Sequence, residues 1–144
     1  MKISEAGLQF IKNHEGIRLA AYPDPATGGE PWTIGVGHTG GVNPSDTCTE
    51  AEAMDWLRDD CATAEQCIED HVDVDLTQNQ YDALVSFIFN CGCGNFRAST
   101  LLKLTNSRSF EGASHQFGRW NKANGKEMAG LTTRRRDESI LFMT

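Results

Sequence analysis

The sequence lacks what a membrane span or a nucleic-acid binder needs. Its longest strongly apolar stretch, residues 83–89, falls far below the roughly 20 residues that cross a bilayer as a helix. The opening Met1-Lys2-Ile3-Ser4-Glu5 carries one lysine, but Glu5, Gln9 and Lys12 interrupt any apolar segment, so it does not read as a secretory signal. Basic residues are few: 13 against 20 acidic ones, a formal net charge of −7. That balance excludes general nucleic-acid binding, which needs a basic footprint. The one dense basic cluster, Arg134-Arg135-Arg136, reads as a solvated helix face. Repeats and low-complexity segments are absent.

Cysteine, by contrast, is plentiful. Cys48, Cys61, Cys67, Cys91 and Cys93 make five, and an odd count leaves at least one thiol free unless it pairs between chains. Oxidising conditions would allow one or two bridges. Zinc is the rival reading. Cys91-Gly92-Cys93 lacks the usual gap of about two to four residues, and no histidine stands close by in the expected pattern. Buried or bridged cysteines are therefore expected, and no metal ligand is assigned.

The 144 residues, 39% of them hydrophobic, suffice for one domain or two lobes sharing a core. Ile3, Phe10 and Ile11 predict a helix over residues 3–14, with Ser4 as cap and Gly16 as stop. Tyr22 and Trp32-Thr33-Ile34 are strand-type residues around a loop from Pro23 to Pro31 rich in proline and glycine, which predicts a small antiparallel sheet. Thr49-Glu50-Ala51-Glu52 is a capping box, and Leu57, Cys61, Ala64 and Ile68 continue it as one helical stripe. Thr77-Gln78-Asn79-Gln80 is a second box, opening a buried central helix. Shorter helices are expected over residues 99–104, 109–120 and 133–142. The architecture is α+β: a small N-terminal sheet lobe, a larger helical C-terminal lobe and a cleft between them.

Three residues carry candidate chemistry. Glu15 stands at the end of the first helix, where the dipole disfavours a carboxylate, and burial in a cleft would act the same way. A carboxyl kept protonated there can give a proton to a leaving oxygen. Asp24, between two prolines, is either a turn residue or a second carboxylate. Thr33 can hold a water through its hydroxyl. His38 reads as a structural histidine.

The order of these residues is more specific than any one of them. Glu15-Gly16-Ile17-Arg18-Leu19, then Tyr22-Pro23-Asp24, then Thr33-Ile34-Gly35-Val36-Gly37-His38 resembles the signature of the phage-type lysozymes, glycoside hydrolase family 24. Leu76-Thr77-Gln78-Asn79-Gln80-Tyr81, Phe117-Gly118-Arg119-Trp120-Asn121 and Gly130-Leu131-Thr132-Thr133-Arg134-Arg135 extend the similarity along nearly the whole chain. The resemblance implies a single lysozyme domain over 1–144. One lobe would span roughly residues 12–60, the other roughly 70–144 plus the N-terminal helix. It implies an endolysin that hydrolyses the β-1,4 bond between N-acetylmuramic acid and N-acetylglucosamine in bacterial peptidoglycan, without metal or organic cofactor. In that reading Glu15 is the general acid, Asp24 and Thr33 place the attacking water, and the outcome is inversion. Asn90 falls at a sugar-contacting position, and Arg134 or Arg135 near an arginine that organises the cleft.

The expected setting is synthesis in the host bacterial cytoplasm and action at the wall as a monomer, reached by cell lysis or a dedicated pore and without stable membrane insertion. The rival readings are a lytic transglycosylase, whose products carry anhydro ends, and a non-catalytic peptidoglycan-binding module.

Overall fold

The computed structural model describes all residues, 1–144. The chain forms two compact units, Leu8–Ala62 and Met1–Gly7 with Thr63–Thr144. The first helix, α1 (Glu5–Glu15), contains one of the two division points.

The smaller unit holds the rest of α1, β1 (Arg18–Tyr22), β2 (Thr33–Gly35) and α2 (Glu50–Asp60). The strands are antiparallel, Arg18 facing Gly35 and Tyr22 facing Thr33, with an irregularity between. The loop between them is the expected one. Beside β1 runs a short extended segment: the Ala21 N–H donates to the Asp46 carbonyl and the Cys48 N–H to the Leu19 carbonyl, both at 2.9 Å. At the start of α2 the capping box forms as read. The Glu52 N–H donates to Thr49 Oγ1 at 3.1 Å, and the Thr49 N–H to Glu52 Oε1 at 2.9 Å.

The predicted long helix beyond Thr49 is two helices. α2 ends at Asp60 and α3 (Ala62–His71) begins after Cys61, whose ψ relaxes to −13°. Asp59 and Asp60 put two carboxylates in the last turn of α2, where the helix dipole disfavours them. The stripe itself is right: Leu57, Cys61, Ala64 and Ile68 are all buried.

The larger unit contains α3, α4 (Gln78–Cys91), α5 (Cys93–Arg97), α6 (Thr100–Asn106), α7 (Phe110–Ser114), a 3-10 turn (Phe117–Arg119), a hairpin of β3 (Lys122–Ala123) and β4 (Lys126–Glu127), and α8 (Ala129–Met143). The Thr77–Gln80 box caps α4, and its residues 80–88 are all buried. α8 packs along α4. The Phe87 ring meets Phe96, Phe117 and Trp120 edge-on at 5.7–6.2 Å, the geometry aromatic rings prefer. The helix expected over 109–120 stops at Ser114 and resumes only as the 3-10 turn. Nothing in the sequence reading anticipated α5 or the β3–β4 hairpin.

The first residues are tied into this unit. Ser4 caps α1, its Oγ accepting from the Gly7 N–H at 3.0 Å, and the same hydroxyl donates to Asp82 of α4. The Ile3 N–H donates to Glu65 Oε2 of α3 at 2.8 Å. Cys67 and Cys93 form a disulfide linking α3 to the start of α5, and Cys48, Cys61 and Cys91 stand outside any disulfide. No helix is long and apolar enough to cross a membrane.

Candidate active site

Glu15 closes α1 and is exposed. Gly16 ends the helix as expected: it takes φ of +80°, a region that costs glycine nothing, and its N–H still donates to the Lys12 carbonyl at 2.7 Å. The turn delivers the chain directly into β1, so Glu15 stands where helix and strand meet. A cavity of about 250 Å³ opens there, lined by Glu15, Arg18, Tyr22, Gly35 and Gly37 among others. The Arg18 guanidinium lies over the Tyr22 ring, 4.6 Å from its centre. Lys12 pairs with Glu50 at 3.0 Å, which fixes the last turn of α1 to the start of α2.

Thr33 and Asp24 lie at the turn end of the same hairpin and do not line that cavity. Thr33 pairs across the sheet with Tyr22. Asp24, half-buried, is held by a tight turn. Its carbonyl accepts from the Gly28 N–H at 2.7 Å, its N–H donates to the Gly29 carbonyl at 2.9 Å, and its Oδ1 accepts from the Ala26 N–H at 2.9 Å. Asp24 is thus the turn-former that one reading expects, and its carboxylate is held by the Ala26 N–H. All three candidates belong to the smaller unit.

His38 is structural. Its Nδ1 lies 2.8 Å from Asp60, and its ring stacks on Trp56 at 4.9 Å.

In the larger unit Asn90 is exposed in the last turn of α4. It lines a cavity of about 620 Å³ with Asn95, Arg119, Trp120 and Lys122 among its neighbours. The arginine cluster corrects an expectation. Arg134 and Arg135 are buried, at 4% and 0% exposure, and of the three only Arg136 is exposed. The reason is Glu138, fully buried one turn on. Arg135 Nε stands 2.6 Å and Arg134 Nε 3.4 Å from its oxygens, and Ser86 Oγ donates to it at 2.6 Å. Burial pushes the Glu138 carboxyl up against the opposing pull of these partners. Arg135 also reaches Cys91 Sγ at 2.6 Å and lies over Phe87, 5.1 Å from the ring centre. Burial raises the Cys91 thiol as well. Sequence reasoning missed Glu138, although its spacing of three and four from the two arginines is the signal of a helical ion cluster.

The Phage lysozyme family profile matches residues 12–138. The chain belongs to the phage lysozyme family. Among phage lysozyme relatives, the endolysin of Acyrthosiphon pisum secondary endosymbiont phage 1 is 45% identical, over 99% of this chain and 98% of that protein. The crystal structure of a P22 lysozyme mutant is similar with a TM-score of 0.90 and 39% identity, covering 100% of this chain and 99% of that one. The muramidase domain of SpmX from Asticaccaulis excentricus gives a TM-score of 0.90 and 37% identity, covering 99% of this chain and 98% of that one. The α+β lysozyme-like fold expected from the sequence is thus the one observed.

Proposed function

We propose that this phage lysozyme hydrolyses the β-1,4 bond between N-acetylmuramic acid and N-acetylglucosamine in bacterial peptidoglycan, with Glu15 as general acid. Glu15 donates its proton to the leaving glycosidic oxygen. Asp24 and Thr33 hold the water that attacks the anomeric carbon from the other face, and the product inverts. Asn90 contacts sugar. The chain acts as a monomer. It is made in the host cytoplasm and reaches the wall by lysis or a dedicated pore.

The observation that carries the reading is the placement of Glu15. It lines a cavity with Tyr22, on the same small hairpin that fixes Asp24 and Thr33. A positioned acid of this kind contributes about 10²–10⁴-fold to rate. Full-chain relatives that are endolysins support the substrate.

Mass spectrometry of purified peptidoglycan after digestion tests it. Fragments ending in hydrated, reducing muramic acid are expected. Anhydro ends would make the enzyme a transglycosylase, and reducing N-acetylglucosamine ends would place the cut at the other bond.

A further inference from the structure

The Cys67–Cys93 bridge has an unassigned neighbour. His71 follows Cys67 by four residues on α3, and positions four apart share a helix face. One ring nitrogen of His71 and the two sulfurs all lie within 4.8 Å of one another. Cys67 is buried, while His71 and Cys93 are half-buried, so the cluster is shielded yet reachable. The end of α3 that carries the imidazole is fixed. Asn106 Nδ2 donates to the His71 carbonyl at 2.9 Å, and Asn106 Oδ1 accepts from the Asp73 N–H at 2.8 Å.

We propose that, once the bridge is reduced, Cys67, His71 and Cys93 bind zinc, with solvent in the fourth position. Sulfur at about 2.3 Å and nitrogen at about 2.0 Å from a tetrahedral zinc stand about 3.5–3.8 Å apart. The donor atoms already fall inside 4.8 Å. Breaking the S–S bond moves the two sulfurs apart, towards the spacing that zinc requires. The Cα atoms, 5.9 Å apart, need no large shift. Two thiolates and an imidazole are a soft donor set that selects zinc over magnesium or calcium. Two thiolates also neutralise the divalent ion, and the C-terminal end of α3 favours a cation.

Bridge and metal exclude each other. A dithiol passes two electrons and two protons to the Cys67–Cys93 disulfide and leaves as a disulfide itself. Zinc then displaces both thiol protons to solvent. The link between α3 and α5 therefore persists in both redox states, covalent in an oxidising compartment and metallic in a reducing one.

The test uses the full chain carrying Cys48→Ser and Cys91→Ser, which leaves Cys61, fully buried, as the only other thiol. The protein is reduced with a phosphine under argon. It is then titrated with zinc against a chromogenic chelator, and with cobalt as a spectroscopic probe. Expected are one metal per chain, a thiolate-to-cobalt charge-transfer band, and no binding by the oxidised protein. His71→Gln is expected to weaken binding by about tenfold or more, and Cys93→Ser to abolish the band. No uptake by the reduced protein overturns the proposal. So does affinity unchanged by His71→Gln, which keeps both cysteines and so remains decisive if Cys93→Ser does not fold.

Discussion

Arg135 and Glu138 face each other across one turn of α8 at 2.6 Å, and neither side chain reaches solvent. The contact is poorly angled for a hydrogen bond, so charge alone pairs those two atoms. Ser86 and Arg134 complete the cluster. Replacing Glu138 with Ala leaves two guanidinium groups buried without their counter-charge, at a cost of about 3–5 kcal/mol. Glu138→Gln keeps an acceptor and costs less. Urea unfolding midpoints of the wild type and both variants check this: a Glu138→Gln midpoint equal to the wild type's would show that the charge contributes nothing, and equal midpoints for the two variants that the retained acceptor contributes nothing.

Gly7 sits inside α1, where alanine is ordinarily the better residue by about 1 kcal/mol. Here a Cβ would stand 2.7 Å from Asp82 Cγ and 2.7 Å from Ile3 Cγ1. Asp82 cannot yield without disturbing the bonds it accepts from Ser4 and from Gln78. The clash therefore outweighs propensity, and Gly7→Ala is expected to lower stability by about 1–3 kcal/mol. A thermal melt that rises instead would show that the first turn of α1 adapts freely.

The disulfide spans 26 positions. Closing a loop of that length restricts the unfolded chain by about 3.5 kcal/mol on the entropic estimate. Reduction in the presence of a chelator, which removes any metal substitute, is expected to lower the unfolding free energy by about that amount. The comparison is denaturant unfolding with and without a phosphine reductant.

Asp24 holds a turn, and the proposed mechanism gives it a second role, placing the water; substitution separates the two. Asn in its place keeps an oxygen for the Ala26 N–H and so preserves the turn, but removes the charge. Asp24→Asn is expected to hold the wild-type melting temperature while losing about 10²–10⁴-fold in kcat. Full activity in Asp24→Asn would leave Asp24 a turn residue only.

What the sequence made legible was local. Both capping boxes, the Gly16 stop and the loop between β1 and β2 are written in adjacent residues, and each formed as read. The β3–β4 hairpin was equally legible and was missed: Asn124-Gly125 is a strong tight-turn pair, and both residues take positive φ, 53° and 77°. The break at Cys61 was hidden because a buried stripe runs unbroken through it. Tertiary contact concealed the rest. A run of three arginines reads as surface until Glu138 and Ser86 are known to meet two of them inside the unit. Likewise no histidine stands near Cys91-Gly92-Cys93 along the chain. His71 arrives from α3, and its ring stands near the Cys67–Cys93 pair. Of the site, the order of Glu15, Asp24 and Thr33 was legible. The small sheet that holds the last two was legible as well, whereas the cavity beside the first was not.

The most direct measurement is the rate of release of reducing muramic ends from purified peptidoglycan by the wild type and by Glu15→Gln, with circular dichroism confirming that both are folded. Gln is isosteric but has no proton of comparable acidity to give. The rate is expected to fall by at least about 10²-fold in the variant. A folded Glu15→Gln protein that releases those ends at close to the wild-type rate would contradict the assignment of Glu15 as the acid.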